Sequence, residues 1–258
     1  MLVDAHAHLD KYDDAEIDQV LAVIEQRRIF TMSVSVDPES YARAQTIAAR
    51  SRLVVPSFGI HPEQAPVFVD SLAEIEELVD GSPLVGEIGL DHRFVTDAAQ
   101  YGSQREVFAI QLALAKAQGK LVNLHCAGAE QDTFDMLVAH GVERAIVHWY
   151  SGPLDVLKRM VAAGYLFTVG VEVLHSAHLR DVAQAIPADQ LLTETDNPGG
   201  YRWLTGDTGY PAHLGDVVGE LARLRAVHPD DLATTVRRNL IRLLEGDPHL
   251  ASWLAELV

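Results

Sequence analysis

Eight short apolar segments, separated by stretches with helical patterning, constrain this sequence more than any other feature. They are LVDAH at 2–6, IFTMSVSV at 29–36, RLVVPSFGI at 52–60, PLVGEIGLD at 83–91, KLVNLHC at 120–126, RAIVHW at 144–149, YLFTVGV at 165–171 and QLLTETD at 190–196. Most lack strict polar alternation, the pattern of parallel strands covered on both faces. Between them, apolar residues recur at helical spacing, as in Ile17, Val20, Leu21 and Ile24, in Phe108, Leu112 and Ala115, and in Leu154, Leu157 and Val161. Eight β-then-α units are the number that closes a barrel, so the expected fold is α/β, a single (β/α)8 TIM barrel spanning 1–258. The segment 232–244 is read as the closing helix, and a tail with Trp253, Leu254 and Leu257 is expected to pack on the outside of the barrel.

Composition narrows the function. At 258 residues, 48% hydrophobic, the chain can bury one large core. Its 20 Lys and Arg against 37 Asp and Glu give a net charge of −17, which repels polyanions except where a metal or a local basic group reverses the field, and no basic groove for nucleic acid is visible. The opening MLVDAHAHLDKYDD has acids and histidines where a secretory leader has a basic start and an apolar run, and no segment is long enough to span a bilayer. A cytoplasmic protein is expected, without membrane contact or an obligate protein partner, as a monomer or weak homo-oligomer. Cys126 is the only cysteine, which rules out an intrachain disulfide and a thiolate zinc cluster.

The chemistry-bearing residues collect at one end of the segments. His6, His8, His61, Glu87, Asp91, His125, His148 and Asp196 all lie at or just beyond C-terminal ends, the face on which barrel active sites are built. His6 and His8, two apart on a strand, point the same way and can grip one ion. Glu87, flanked by Gly86 and Gly89, is placed to bridge two divalent ions and offset their repulsion. His125 and His148, across the mouth, complete a second ion site. Asp196 ends the eighth strand, which closure sets beside the first, so it can bind the first ion and accept the proton of an attacking water. Two divalent ions are therefore expected, with Zn, Mn, Fe, Co, Ni and Mg all compatible with imidazole and carboxylate ligands.

The motifs VDAHAHLD, GIHP at 59–62, VGEIGLD at 85–91, NLHC at 123–126, VHWYSG at 147–152, TETDNP at 193–198 and NLIRLL at 239–244 together resemble the TatD-type hydrolases (deoxyribonucleases), a branch of the amidohydrolase superfamily. The resemblance implies the same six ligands, His6, His8, Glu87, His125, His148 and Asp196. It further implies that His61 faces the substrate, joining Asp196 and Glu87 as a catalytic candidate, and that Gln104 and Arg105 sit on the helix after the fourth loop. Two positions depart from the family pattern: Ala127 stands where an arginine is common, and GDTGYPAH at 206–213 lacks the usual basic stretch. Both departures weaken phosphate binding, because a guanidinium is a bidentate partner for phosphoryl oxygens. His92 and Arg93 are candidates to compensate, and Trp149 and Tyr150, with Tyr201 and Trp203, to stack on a base or wall an apolar pocket.

The expected function is a divalent-metal-dependent phosphoester hydrolase, a DNA exonuclease or nuclease acting on single strands or 3′ ends, with metal-activated water as nucleophile. DNA or a small phosphoester is the expected partner. The alternatives are hydrolysis of a small phosphoester, lactone, ester or amide, and a metal-containing binding protein without catalysis.

Overall fold

The computed structural model describes residues 1–258, apart from the side chain of Leu72. Its strands are β1 (Leu2–Ala7), β2 (Ile29–Val34), β3 (Val54–Ser57), β4 (Val85–Gly89), β5 (Val122–His125), β6 (Ala145–Val147), β7 (Leu166–Val169) and β8 (Leu191–Thr193). Seven fall inside an apolar segment, with up to three residues trimmed at an end, and β1 runs one residue past its segment, to Ala7. All pairings are parallel, in ladders β1-β2-β3 and β4-β5-β6-β7-β8. Two seams join the ladders into a TIM barrel. At the first, Phe58 bridges Val85 and the Gly86 amide donates to the Phe58 carbonyl (2.8 Å). At the second, the Asp196 amide donates to the His6 carbonyl (3.0 Å) and the His8 amide to the Asn197 carbonyl (2.8 Å).

The second seam is reinforced by a buried carboxylate. Asp4 accepts from the Thr195 amide (2.8 Å) and the Thr195 hydroxyl (2.6 Å), tying β1 to the chain leaving β8. Burial pushes the Asp4 carboxyl up to about 7, against the hydrogen bonds from Thr195 that favour its charged form.

Helices cover the outside with the faces expected from their spacing. Ile17–Arg27 buries Ile17, Val20, Leu21 and Ile24, and Tyr101–Gln118 buries Phe108, Leu112 and Ala115. In Leu154–Ala162 the buried face is Val156, Leu157 and Met160, with Leu154 and Val161 at its partly covered margins. The closing helix runs Pro229–Leu244, starting three residues earlier than the apolar pattern because Pro229 occupies the first turn, where its missing N–H costs nothing. The tail forms a helix, Ala251–Leu257. Its Trp253 indole donates to the Val54 carbonyl (3.0 Å), so it docks at the N-terminal end of β3, away from the mouth.

Glycines let β4 sit close to its neighbours. A Cβ on Gly86 would lie 2.6 Å from the Asn123 Cβ, and one on Gly89 (φ +146°) would overlap the His125 carbonyl oxygen. Gly89→Ala combines a disfavoured backbone conformation with a clash against backbone, so a loss of roughly 2–4 kcal/mol is expected in denaturant unfolding, with β4 and β5 pushed apart. Stability within 0.5 kcal/mol of the parent, about the scatter of surface substitutions, would contradict this account.

Candidate metal centre and active site

Barrel closure brings the predicted residues to one point, with the Glu87 carboxylate at its focus. Glu87 is 3% exposed, and its two oxygens face different groups. Oε2 lies 3.5 Å from His6 Nε2 and 3.3 Å from His8 Nε2, and Asp196 Oδ1 lies 3.8 and 3.4 Å from the same two nitrogens. Oε1 lies 2.9 Å from His125 Nδ1, 3.1 Å from His148 Nε2 and 3.7 Å from His61 Nε2. One carboxylate thus divides the cluster into a His6, His8, Asp196 side and a His125, His148 side.

The hydrogen bonds behind the rings fix which nitrogen is a free lone pair. The Asn123 side-chain amide donates to the Ala5 carbonyl (2.8 Å), leaving its oxygen to accept from His6 Nδ1 (2.8 Å). His6 Nε2 is therefore unprotonated, and burial together with the neighbouring His148 pulls this imidazole's pKa down. It points at carboxylate oxygens and has no hydrogen-bond partner. A lone pair aimed at anionic oxygens in a buried site calls for a cation between them. The spacing agrees, since ligand bonds of about 2.0–2.2 Å put tetrahedral ligand atoms about 3.4 Å apart. The residues present thus fit a divalent ion on this side, and imidazole with carboxylate is the right donor chemistry.

The opposite side is held by two further carboxylates. Glu194 is fully buried and accepts from the Thr168 hydroxyl (2.6 Å) and the Trp149 amide (3.0 Å), which leaves it to hold His148 Nδ1 at 3.3 Å. Asp91 accepts from the amides of Arg93 and Phe94 (both 2.8 Å) and faces His125 Nε2 at 3.1 Å. Burial lowers the His125 pKa, but bonds to Asp91 and Glu87 outweigh it and hold the ring up at about 9. For Glu87, burial favours the neutral acid, yet His6, His61, His148 and the bond to His125 keep its pKa well below the usual range.

His61 has the opposite polarity to His6. Its Nδ1 accepts from the Glu63 amide (3.2 Å), so Nε2 carries the proton and faces the mouth as a donor. Burial pulls it down to about 3, outweighing the attraction of Glu87, so the ring is neutral.

Over the centre lies a cavity of about 410 Å³. A family model described as TatD related DNase matches residues 3–245. The chain belongs to the TatD-related DNase family. This TatD-family chain is a metal-dependent hydrolase, and it is 31% identical to the "Uncharacterized metal-dependent hydrolase TatD" of Mycobacterium tuberculosis, over 93% of this chain and 97% of that one. It is 26% identical to human "Deoxyribonuclease TATDN3", over 96% of each chain. The crystal structure of YJJV, a TatD homolog from Escherichia coli K12, superposes with a TM-score of 0.83 at 26% identity, covering 94% of this chain and 97% of that one.

Within this TatD-family mouth, the expected substrate contacts divide. Arg93 and Trp149 line the cavity, and the Arg93 guanidinium donates to the Ser151 hydroxyl (3.1 Å). Tyr150 does not reach it. Its ring is 1% exposed against Phe167 and its hydroxyl donates to the Pro153 carbonyl (2.6 Å), because the residue after Trp149 turns its side chain to the helix layer. His92 is likewise held away from the cavity, stacked on Tyr101 at 3.8 Å. Tyr201 stacks on His213 at 4.0 Å. Gln104 sits on Tyr101–Gln118 as expected and clamps Asp91, accepting from its amide (3.0 Å) and donating to its carbonyl (3.1 Å). Sequence reasoning missed Lys11, Phe94, Glu130 and Glu172 in the lining, and Asn123 and Glu194 behind the histidines.

Two outcomes follow from the ring-orienting bonds. Asn123→Ala frees the His6 ring and strands the Ala5 carbonyl, so metal affinity should fall about 10- to 100-fold in a calorimetric titration; unchanged affinity would remove Asn123 from this role. In metal-stripped protein, His125 has a folded pKa of about 9 against 6.5 unfolded, so its contribution to stability is complete below pH 6.5 and lost as pH rises to about 9. His61 acts in a separate window, its contribution lost as pH falls from 6.5 towards 3. Asp91→Asn should shrink the alkaline loss and spare the acid one in denaturation curves taken from pH 4 to 9.5.

Proposed function

We propose that this chain hydrolyses phosphoester bonds in DNA, at single-stranded or 3′ ends, using a pair of divalent ions held by His6, His8, Glu87 and Asp196 on one side and by Glu87, His125 and His148 on the other. The observation that carries the reading is the Glu87 carboxylate, with one oxygen turned to each histidine pair. Divalent ions held by these residues would lower the pKa of water and neutralise charge on the phosphoryl oxygens.

The chain's own groups supply the rest. Asp196 is the one member of the Glu87, His6, His8, Asp196 set whose side chain reaches solvent, at 20% against 0–5% for the others. Its Oδ1 faces the histidines, so Oδ2 is free to take the proton of the attacking water. Asp196 holds a left-handed backbone conformation (φ 51°), kept in place by Asp4 through Thr195 and by the His6 carbonyl. His61, neutral and with Nε2–H towards the centre, donates to a phosphoryl oxygen. Lys11 and Arg93 line the cavity and supply the positive charge that Ala127 and 206–213 lack.

A cavity of this size, at the small end of the roughly 300–1,000 Å³ range for ligand sites, admits a strand end and excludes a duplex. The TatD-family relatives named as deoxyribonucleases support a DNA substrate. Hydrolysis of a small phosphoester, lactone, ester or amide is the second reading, favoured by Glu63, Glu130 and Glu172 in the lining, which oppose a polyanion. The same reading takes 1–258 as one domain, supported by a core that runs from Val3 to Leu257, and keeps the expectation of a cytoplasmic monomer or weak homo-oligomer.

Initial rates on single-stranded DNA, duplex DNA, small phosphoesters and lactones, with Mn or Zn saturating, test it. Single strands should be cleaved faster than duplex, with a shallow salt dependence because few phosphates are contacted. Turnover confined to lactones or carboxylic esters overturns the reading. Asp196→Asn should lower kcat about 10²- to 10⁴-fold at matched metal occupancy; a loss under twofold excludes it as proton acceptor.

A further inference from the structure

The proposed reading leaves the substrate's non-reacting part without a partner, and the cavity wall offers one. Phe94, Trp149 and Trp203 come from the segments after β4, β6 and β8 and meet at the mouth. Trp203 stands edge-on to both others, with centroids 6.3 Å from each and planes 80° from Trp149 and 89° from Phe94. Nearby aromatic rings are stacked on a partner, His92 on Tyr101 and Tyr201 on His213, whereas these three are not stacked on one another. Phe94 is 52% exposed and Trp203 59%, among the few large apolar side chains left in water. Adjacent exposed rings at the rim of a cavity that also holds charged side chains mark a contact surface.

Trp149 is fixed rather than mobile. Its indole donates to Glu172 (2.6 Å) and its amide to Glu194 and Thr168, and the backbone holds φ at 39°, a left-handed conformation that a bulky residue adopts only under constraint. The ring lies so close to Gly200 that a Cβ there would be 2.5 Å from it. Trp149 also follows His148 directly, so one edge of the aromatic group begins at the proposed reaction centre. Arg93, next to Phe94, puts a guanidinium on the same wall.

We infer that Phe94, Trp149 and Trp203 form a stacking subsite for the nucleobase of a terminal nucleotide, which seats a strand end with its phosphoester at the Glu87 centre. This rests on the phosphoester reading and adds what positions the substrate. A base offers a π-face whatever its identity, so the subsite is tolerant of sequence. An organic cation would also suit aromatic walls with Glu130 and Glu172 in the same lining, whereas Lys11 and Arg93, the latter next to Phe94, favour the phosphate attached to a base.

The test uses the metal-loaded protein and two single-stranded oligonucleotides, one ending in a normal nucleotide and one ending in an abasic residue. The parent should prefer the normal end about tenfold in kcat/KM, mostly through KM, and the ratio should fall towards one in Trp203→Ala and Phe94→Ala, and stay near tenfold in Trp203→Phe. Both rings are exposed, so the alanine variants should fold, and circular dichroism checks that they do. Binding of a deoxynucleoside monophosphate, followed by quenching of tryptophan fluorescence without turnover, should weaken by a similar factor in Phe94→Ala. A parent that cleaves both oligonucleotides equally, or variants that keep the preference, overturn the subsite and leave the phosphoester reading standing. A parent that cleaves neither, while hydrolysing another ester, overturns both. Competitive inhibition by tetramethylammonium that is abolished in Trp203→Ala overturns the subsite in favour of a cation cage.

Discussion

A buried carboxylate is the constraint around which the mouth of this barrel is organised. Glu87 is enclosed on every side, and a charge in that position survives only if cations or strong donors surround it. The chain provides five imidazoles within 3.7 Å, and a further ring of hydrogen-bonding groups that decides what four of them present to the centre. Asn123 turns His6 into a lone pair, the Glu63 amide turns His61 into a donor, and Glu194 and Asp91 hold the rings of His148 and His125. Without a metal the cluster is a set of competing protonation equilibria. His6 and His148 show the conflict, since their rings stack at 3.7 Å and cannot both be charged, and the shifts go in opposite directions.

The barrel supplies the rigidity this arrangement needs. Ligands from five different strands keep their spacing only if the ring of strands is closed, and the seams are where closure is decided. Asp4 and Thr195 at one seam, and Gly86 against Phe58 at the other, are close contacts between backbone and small or polar groups rather than bulk apolar packing. Asn123 spans the interior from β5 to Ala5 on β1, linking opposite walls directly under the site. The chemistry and the stability of the barrel thus share residues. A change at Asn123 or Gly89 acts on both.

Several residues missed from the sequence obey the same rule as those found. Side chains two apart on a strand share a face, which is why His6 and His8 were legible as a pair. The same step of two carries Asp4 to His6, Asn123 to His125, Glu194 to Asp196 and Glu87 through Gly89 to Asp91. Extending the inward face by one position would have found the layer that orients the histidines. The rim was not readable in this way. Tyr150 and His92 differ from Trp149 and Arg93 by a single position, in segments without a fixed period, and turn away from the cavity to hydrogen-bond Pro153 and to stack on Tyr101.

The sequence by itself determined the eight strands, the helix faces and the group of ligand-type residues at the C-terminal ends, because hydrophobic periodicity and strand polarity are local properties that survive without knowing what packs against what. It also carried the family likeness, through motifs in fixed order. Only the tertiary structure decided which nitrogen of each histidine faces Glu87, that Asp196 is the most exposed side chain of the cluster, and that Phe94, Trp149 and Trp203 come together at the rim. Those facts depend on pairs more than a hundred residues apart, or on loop conformations set by their surroundings, and the hydrogen bonds that fix them exist only once the barrel has closed.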